Sequence, residues 1–253
     1  MKIHEMLYDA AKYPFSGVKQ LLILGLMILI SSLLLGDYSN FYNYLDSIFG
    51  DTALMLVLML VLLLFTILSI LEAGYSFKII EKSVLRIEEP PKLNNFIHMF
   101  KHGLNEIIIG LIYFSIPFIL SLIILDALFS EISLGMPVIS DEFVFILIFV
   151  IIFLGFISDI IFTVAVPHMA FKGGAFKEAF NFPEIFKKIR RIGFKKLLVG
   201  YFIVILGIVV IGGPILKEVI ESTNIVGFFV AEEILAPYLV MFYARFISLV
   251  YNS

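Results

Sequence analysis

Six apolar stretches recur along the chain, at residues 18–35, 52–71, 107–125, 143–166, 197–216 and 225–251, each bounded by polar or turn-forming residues. The hydrocarbon core of a bilayer is about 30 Å thick and takes roughly 20 apolar residues as a helix, so each stretch is long enough to span it. The second is the cleanest, with no charged residue between Thr52 and Leu71. The sixth is the least regular, because Glu232, Glu233, Pro237 and Arg245 interrupt it. Its two glutamates fall either in an outer loop or inside the span, since residues 234–250 alone reach the minimum of roughly 17.

The polar connections carry a second, amphipathic pattern. Ile3, Met6, Leu7 and Ala10 fall at helical spacing ahead of Pro14. This predicts a short helix on the membrane surface, stopped where the proline pushes its predecessor out of the α region. Beyond the second span, Ile79, Ile80, Val84 and Leu85 are interleaved with Lys78, Glu81, Lys82 and Arg86, so the helix runs on as an amphipathic extension until Pro90-Pro91. Phe96, Ile97, Phe100 and Leu104 predict a surface helix feeding into the third span, capped by Asn94 or Asn95. Pro117 removes a hydrogen bond and bends that span, and Pro167 ends the fourth.

Residues 172–196 hold eight Lys/Arg against two Glu. Asn181 and Glu184 stand there as a capping box with Pro183 in the first turn, and Ile185, Phe186, Ile189 and Ile192 then form one face of a helix. Lys187, Lys188, Arg190 and Arg191 form the other, and such a helix lies in the interface with its cations on anionic headgroups. The whole pattern predicts an all-α fold, a polytopic membrane helical bundle of about six transmembrane helices with short amphipathic interfacial helices. One integral membrane domain covers residues 1–253.

Composition excludes a water-soluble fold. Of the 253 residues 61% are hydrophobic and 15% charged, against roughly 45–50% and 25% in soluble domains, too much apolar surface to hide from water. The lack of Cys removes disulfides, thiolate metal sites and Cys nucleophiles. Charge adds orientation. Lys and Arg number three in residues 1–19, five in 72–106 and eight in 167–196, and none occurs in 36–51 or 126–142. Basic loops stay on the cytoplasmic side, which predicts a multi-pass chain in the cell membrane with both termini cytoplasmic.

An internal likeness accompanies this alternation. Residues 103–110 match residues 193–200 at an offset of 90, each run beginning and ending in Gly and following an amphipathic helix, and residues 17–25 resemble both with one residue inserted. The likeness is either a surface helix plus two-span hairpin repeated three times, or what any two apolar spans share.

Candidate chemistry is sparse. His98, His102 and Glu106 share one helical face but make an incomplete ligand set, with no fourth ligand and no HExxH pattern, so no metal site is assigned. No GxSxG, Walker A or Rossmann fingerprint occurs, and no enzyme activity, cofactor or nucleic-acid partner is expected. Asp159 and Arg245 are the charges most expensive to bury. They are expected as an intramembrane polar pair near the basic ends of their spans, either a substrate site or a structural ion pair with Arg245 extending towards the interface.

Several short motifs carry a resemblance: Tyr13-Pro14-Phe15, Gly74-Tyr75 followed by Pro90-Pro91, Phe100-Lys101-His102-Gly103-Leu104, and Pro167-His168-Met169-Ala170 through Ala179-Phe180 to Arg191. In these the chain resembles a family of archaeal and bacterial integral membrane proteins, the domain of unknown function numbered 4013. The resemblance implies a multi-pass membrane protein and brings no activity, substrate or catalytic residue with it. Two function classes follow from the sequence: a structural, lipid-organising or accessory membrane protein, and, as the alternative, a transporter or permease for a small solute. Anionic lipids on the cytoplasmic side are the expected partners, with membrane-protein partners or a second copy left open. Because the chain has no native Cys, single cysteines at Asn40, Ser133 and Lys187 report the topology directly. Membrane-impermeant reagents should reach the first two in intact cells, and labelling at Lys187 from outside would reverse the orientation.

Overall fold

The computed structural model describes residues 1–34, 39–134, 140–206 and 225–253, and among these the backbone is helical with no strand. Helix α1 (Ile3–Lys12) passes through a 3-10 turn (Tyr13–Gly17) into α2 (Val18–Leu34). The α-helix ends ahead of Pro14 as expected, but Tyr13 keeps α-region dihedrals (φ −56°, ψ −43°), and Pro14 sits in the first turn of the 3-10 segment, where its missing N–H leaves nothing unpaired. Helix α3 (Ser39–Val84) is 46 residues long. It ends before Pro90-Pro91, at a left-handed Arg86 (φ 62°), with Ile87 N–H donating to the Lys82 carbonyl and Arg86 N–H to that of Ser83, both at 3.0 Å.

Lys78 fastens the following loop, its ammonium reaching the Lys92 and Asn94 carbonyls at 2.8 and 2.9 Å, while the buried Tyr75 hydroxyl donates to the Pro91 carbonyl at 3.0 Å. Helix α4 (Phe96–Tyr113) then starts at the expected cap, with the Asn95 side chain accepting from His98 N–H. It continues without a break from the surface helix into the third apolar stretch. A 60° bend separates it from α5 (Ser115–Leu134), because Pro117 offers no N–H to the carbonyl of Tyr113.

Helix α6 (Asp141–Phe171) runs through Pro167 rather than ending there. After a 3-10 turn (Phe176–Phe180) come α7 (Phe182–Ile192) and α8 (Phe194–Leu206). The expected capping box does not form. The Asn181 amide donates instead to Glu178 Oε2 at 3.2 Å, and Glu184 turns to Lys187 at 3.7 Å. The last segment is α9 (Ile225–Val230), a π turn (Ala231–Leu235) and α10 (Ala236–Tyr251). Glu232 and Glu233 therefore lie within a helical segment, not in an outer loop.

Four segments are long and apolar enough to cross a membrane: Ile3–Leu34, Met55–Val84, Glu142–Phe171 and Val226–Tyr251. The bent pair Phe96–Tyr113 and Ser115–Ala127 makes a fifth if taken as one span. The stretch 197–216 begins as α8 and continues outside the described residues. The aligned glycines of the internal likeness differ locally. Gly103 lies inside an unbroken α4, whereas Gly193, at φ 92°, separates α7 from α8.

Without a strong hydrophobic drive between helices in lipid, close packing has to hold them together. Helices α3 and α4 cross antiparallel at Gly74 and Gly103, where a methyl on Gly74 would meet the Met99 carbonyl and one on Gly103 the Ile70 carbonyl. Gly25 of α2 lies in the same way against the backbone of Glu233. The buried core gathers at the basic end, from Met6 and Ala10 of α1, Tyr75 to Val84 of α3, Val164 to Ala170 of α6, Ile185 and Ile189 of α7, and the last two turns of α10. The apolar stripe of α1 thus packs on protein, where the sequence suggested a membrane surface. Residues 55–67 of α3 and 143–153 of α6 are apolar and largely exposed, with Met55, Met59 and Leu60 about two-thirds accessible. Replacing Gly74 or Gly103 by Ala should cost roughly 1–3 kcal/mol, the usual penalty of overpacking. Gly155→Ala, with nothing within 4 Å, is the matched control, and thermal unfolding in detergent measures the difference.

Candidate functional site

Arg245 sits on α10 and is only 4% accessible. Its Nε donates to Asp9 Oδ1 at 2.7 Å and its Nη2 to Oδ2 of the same carboxylate at 3.3 Å, a two-pronged pair with α1. Its Nη1 donates to the Ile87 carbonyl at 2.9 Å, and the guanidinium lies 5.0 Å above the Tyr13 ring. Asn252 adds two bonds to the Ser83 and Val84 carbonyls, at 3.3 and 3.0 Å. The exposed carbonyl end of α3 is thereby closed by donors from the far end of the chain.

This corrects the expected pairing of Asp159 with Arg245. Asp159 of α6 hydrogen-bonds the Tyr201 hydroxyl of α8, and among the described residues no cation stands beside it. It lines a cavity of ≈ 90 Å³ together with Thr163, Tyr201 and Tyr243 and a larger apolar wall. Thr163 and Tyr243 hydroxyls lie 3.4 Å apart there. Both charges interrupt apolar spans, which is all that links them in the sequence, whereas the partner of Arg245 lies 236 residues away on a helix with no other distinguishing mark.

His98 and His102 do come together, with ring centroids 4.3 Å apart, and His102 stacks on Phe77 at 4.7 Å. Gly174, at φ 76°, allows the loop after α6 to close over the His102 ring, where a side chain would collide. Among the described residues no group of His, Cys, Asp or Glu is placed to hold a metal ion. A polar contact missed from sequence lies across the bundle. Ser32 of α2 donates to Glu232 of the π turn at 2.8 Å. The sign available in advance was an acidic residue inside the sixth apolar stretch.

Helix α7 is where the basic residues converge. Ile185, Ile189 and Ile192 are buried against the bundle, which turns the charged arc outward. That arc is divided. Lys187, Lys188 and Arg191, with Lys172 and His168, line a pocket of ≈ 260 Å³ closed on one side by Tyr251. Arg190 faces away, onto an apolar groove of ≈ 400 Å³ between α6 and the junction of α7 with α8. In the basic pocket Lys188 Nζ stands 4.3 Å over the Tyr251 ring, and burial, with the Arg191 charge beside it, lowers its pKa from the usual lysine value. His168 Nδ1 and the Tyr251 hydroxyl are 3.0 Å apart, which fixes the floor of the pocket. Four cations, against the single carboxylate of Glu184 that pairs with Lys187, surround a concave, partly polar surface at the end of a span and suit a phosphate or carboxylate group.

Residues 54–217 match the family described as protein of unknown function, DUF4013. The chain belongs to this family. No curated protein and no solved structure matches the chain. The DUF4013 match takes in the Gly74–Gly103 crossing, Asp159 with its Tyr201 partner and the whole of α7, but it begins beyond α1 and stops short of α10, which supplies Tyr243 to the Asp159 cavity. Asp9 and Arg245 therefore lie outside the DUF4013 region and fasten it from both flanks. Breaking the Asp9–Arg245 pair from either side leaves a charge without its partner. Asp9→Asn and Arg245→Gln should each cost about 2 kcal/mol, below the range for a fully buried pair because Asp9 is partly exposed. In a double-mutant cycle read by thermal unfolding, those two changes should be strongly non-additive. Asp159→Asn with Arg245→Gln should add within about 0.5 kcal/mol.

Proposed function

We propose that this chain is a multi-pass protein of the cell membrane, with both termini cytoplasmic, whose basic end gathers anionic lipid headgroups in a lipid-organising or accessory role. The observation that carries the reading is the pocket of Lys172, Lys187, Lys188 and Arg191 at the end of α6 and α10. Basic pockets between helix ends at the cytoplasmic side bind phosphate-bearing headgroups, each Lys or Arg contributing on the order of 1 kcal/mol. The segregation of Lys and Arg to alternate connections supports the same side for the termini, α7 and this pocket. The isoleucine face of α7 is buried in the bundle, so the helix is a fixed part of the protein and holds its cations at one depth.

The test is lipid retention by the full-length protein, purified in detergent and offered phosphatidylglycerol or phosphatidylcholine, with bound lipid counted by native mass spectrometry. Phosphatidylglycerol should be retained preferentially. The triple change Lys187→Gln, Lys188→Gln, Arg191→Gln should reduce that preference on the order of a hundredfold, and raised salt should weaken it. Equal retention of the two lipids by the unaltered protein would sink the headgroup reading and leave the Asp159 cavity, and with it a small-solute permease, as the better-supported alternative.

A further inference from the structure

The four cations of α7 do not serve one surface. Arg190 is exposed, has no ion-pair or hydrogen-bond partner among the described residues, and stands at the rim of the ≈ 400 Å³ groove. The groove is otherwise apolar. Ile160 and Ile189 form its floor, each less than one-tenth exposed, and Phe153, Phe186 and Phe194 form its walls, each roughly half exposed. It runs along α6 from Phe153 to Ile161, about 12 Å at 1.5 Å per residue, starting at a membrane-exposed apolar face and ending beside a guanidinium.

Three kinds of occupant differ in what they require. Water needs two to four polar partners, and these walls offer none. An extended peptide segment brings N–H and C=O groups that must be satisfied away from water, and the groove supplies no donors or acceptors along its length. A hydrocarbon chain requires neither and fills the space with the dispersion contacts that aromatic walls provide. The charge at one end then selects the head of the same molecule, because a guanidinium can grip phosphate oxygens with two parallel bonds.

From this juxtaposition we infer that the groove between α6 and the α7–α8 junction is a seat for a single anionic glycerophospholipid, one acyl chain lying along Phe153, Ile157 and Phe186 and the phosphate on Arg190. This extends the reading of α7 as a headgroup helix, and it depends on different residues from the pocket of Lys187, Lys188 and Arg191.

The experiment uses the full-length protein in phosphatidylcholine bilayers containing a trace of phosphatidylglycerol or phosphatidylcholine spin-labelled on one chain. The motionally restricted fraction is read by electron paramagnetic resonance. The unaltered protein should restrict the anionic lipid about fivefold more strongly than the neutral one, the effect of one basic residue at an anionic headgroup. In the Lys187→Gln, Lys188→Gln, Arg191→Gln background, where the groove alone is left to select, Arg190→Gln should bring the two lipids level. Ile157→Trp should fill the groove and shrink the restricted fraction for both lipids, while Ile148→Trp, on an exposed part of the same helix, should change neither. The triple change Lys187→Gln, Lys188→Gln, Arg191→Gln should leave the restricted fraction in place, so failure of the headgroup pocket and failure of the groove are read separately. No lipid preference in the unaltered protein would overturn the proposal, as would identical behaviour of the two Trp variants. Loss of the preference on adding inorganic phosphate at constant ionic strength would also overturn it, by marking Arg190 as a free-anion site.

Discussion

A guanidinium withdrawn from water is tolerable only when its donors meet acceptors, and Arg245 meets that condition with groups from three separate parts of the chain. Asp9 comes from the first helix, Ile87 from the turn that closes α3, and Tyr13 from the 3-10 segment leading into α2. Each of these must be in place before the charge is compensated, so the site fixes the mutual positions of α1, the end of α3 and α10 at once. Asn252 completes the closure of α3 a short way beyond. The rest of the buried core lies around this point, and the apolar middle of α3 and first half of α6 extend away from it.

Helix type and placement were legible from hydrophobic spacing because lipid enforces a simple rule: a spanning backbone must satisfy its own hydrogen bonds. The run from residue 52 to 71, the amphipathic continuation to Val84 and the alternating faces of α7 all followed from that rule. Side-chain partnership was less legible. Position in a span links Asp159 with Arg245, but each has a partner of a kind the pattern does not mark, a tyrosine hydroxyl on α8 and a carboxylate on a helix at the far end of the chain. Asn181 likewise had a suitable spacing to Glu184, and tertiary proximity gave its amide to Glu178 instead. Pro167 shows the same limit from the other side. Neighbouring elements hold the helix around it through to Phe171, which overrides the local tendency to stop.

Helix α7 illustrates how angle along a helix sorts residues of identical charge. At about 100° per residue, Lys187, Lys188 and Arg191 occupy one part of the polar arc and Arg190 the opposite edge, next to Phe186. That division could be read in advance from the spacing alone. What the spacing could not supply was the identity of the surfaces on either side, a polar pocket under Tyr251 and an aromatic groove against α6.

The length of α3 has a mechanical consequence. Its last described close crossing with α4 is at Gly74 and Gly103, and the helix continues from Ile70 back to Ser39, a reach of about 47 Å at 1.5 Å per residue. A helix of this kind behaves as a lever with its fulcrum at the glycine contact. A tilt of about 10° there would carry the Ser39 end sideways by about 8 Å, so small adjustments in packing at the basic end are magnified into large lateral displacements at the opposite face of the membrane.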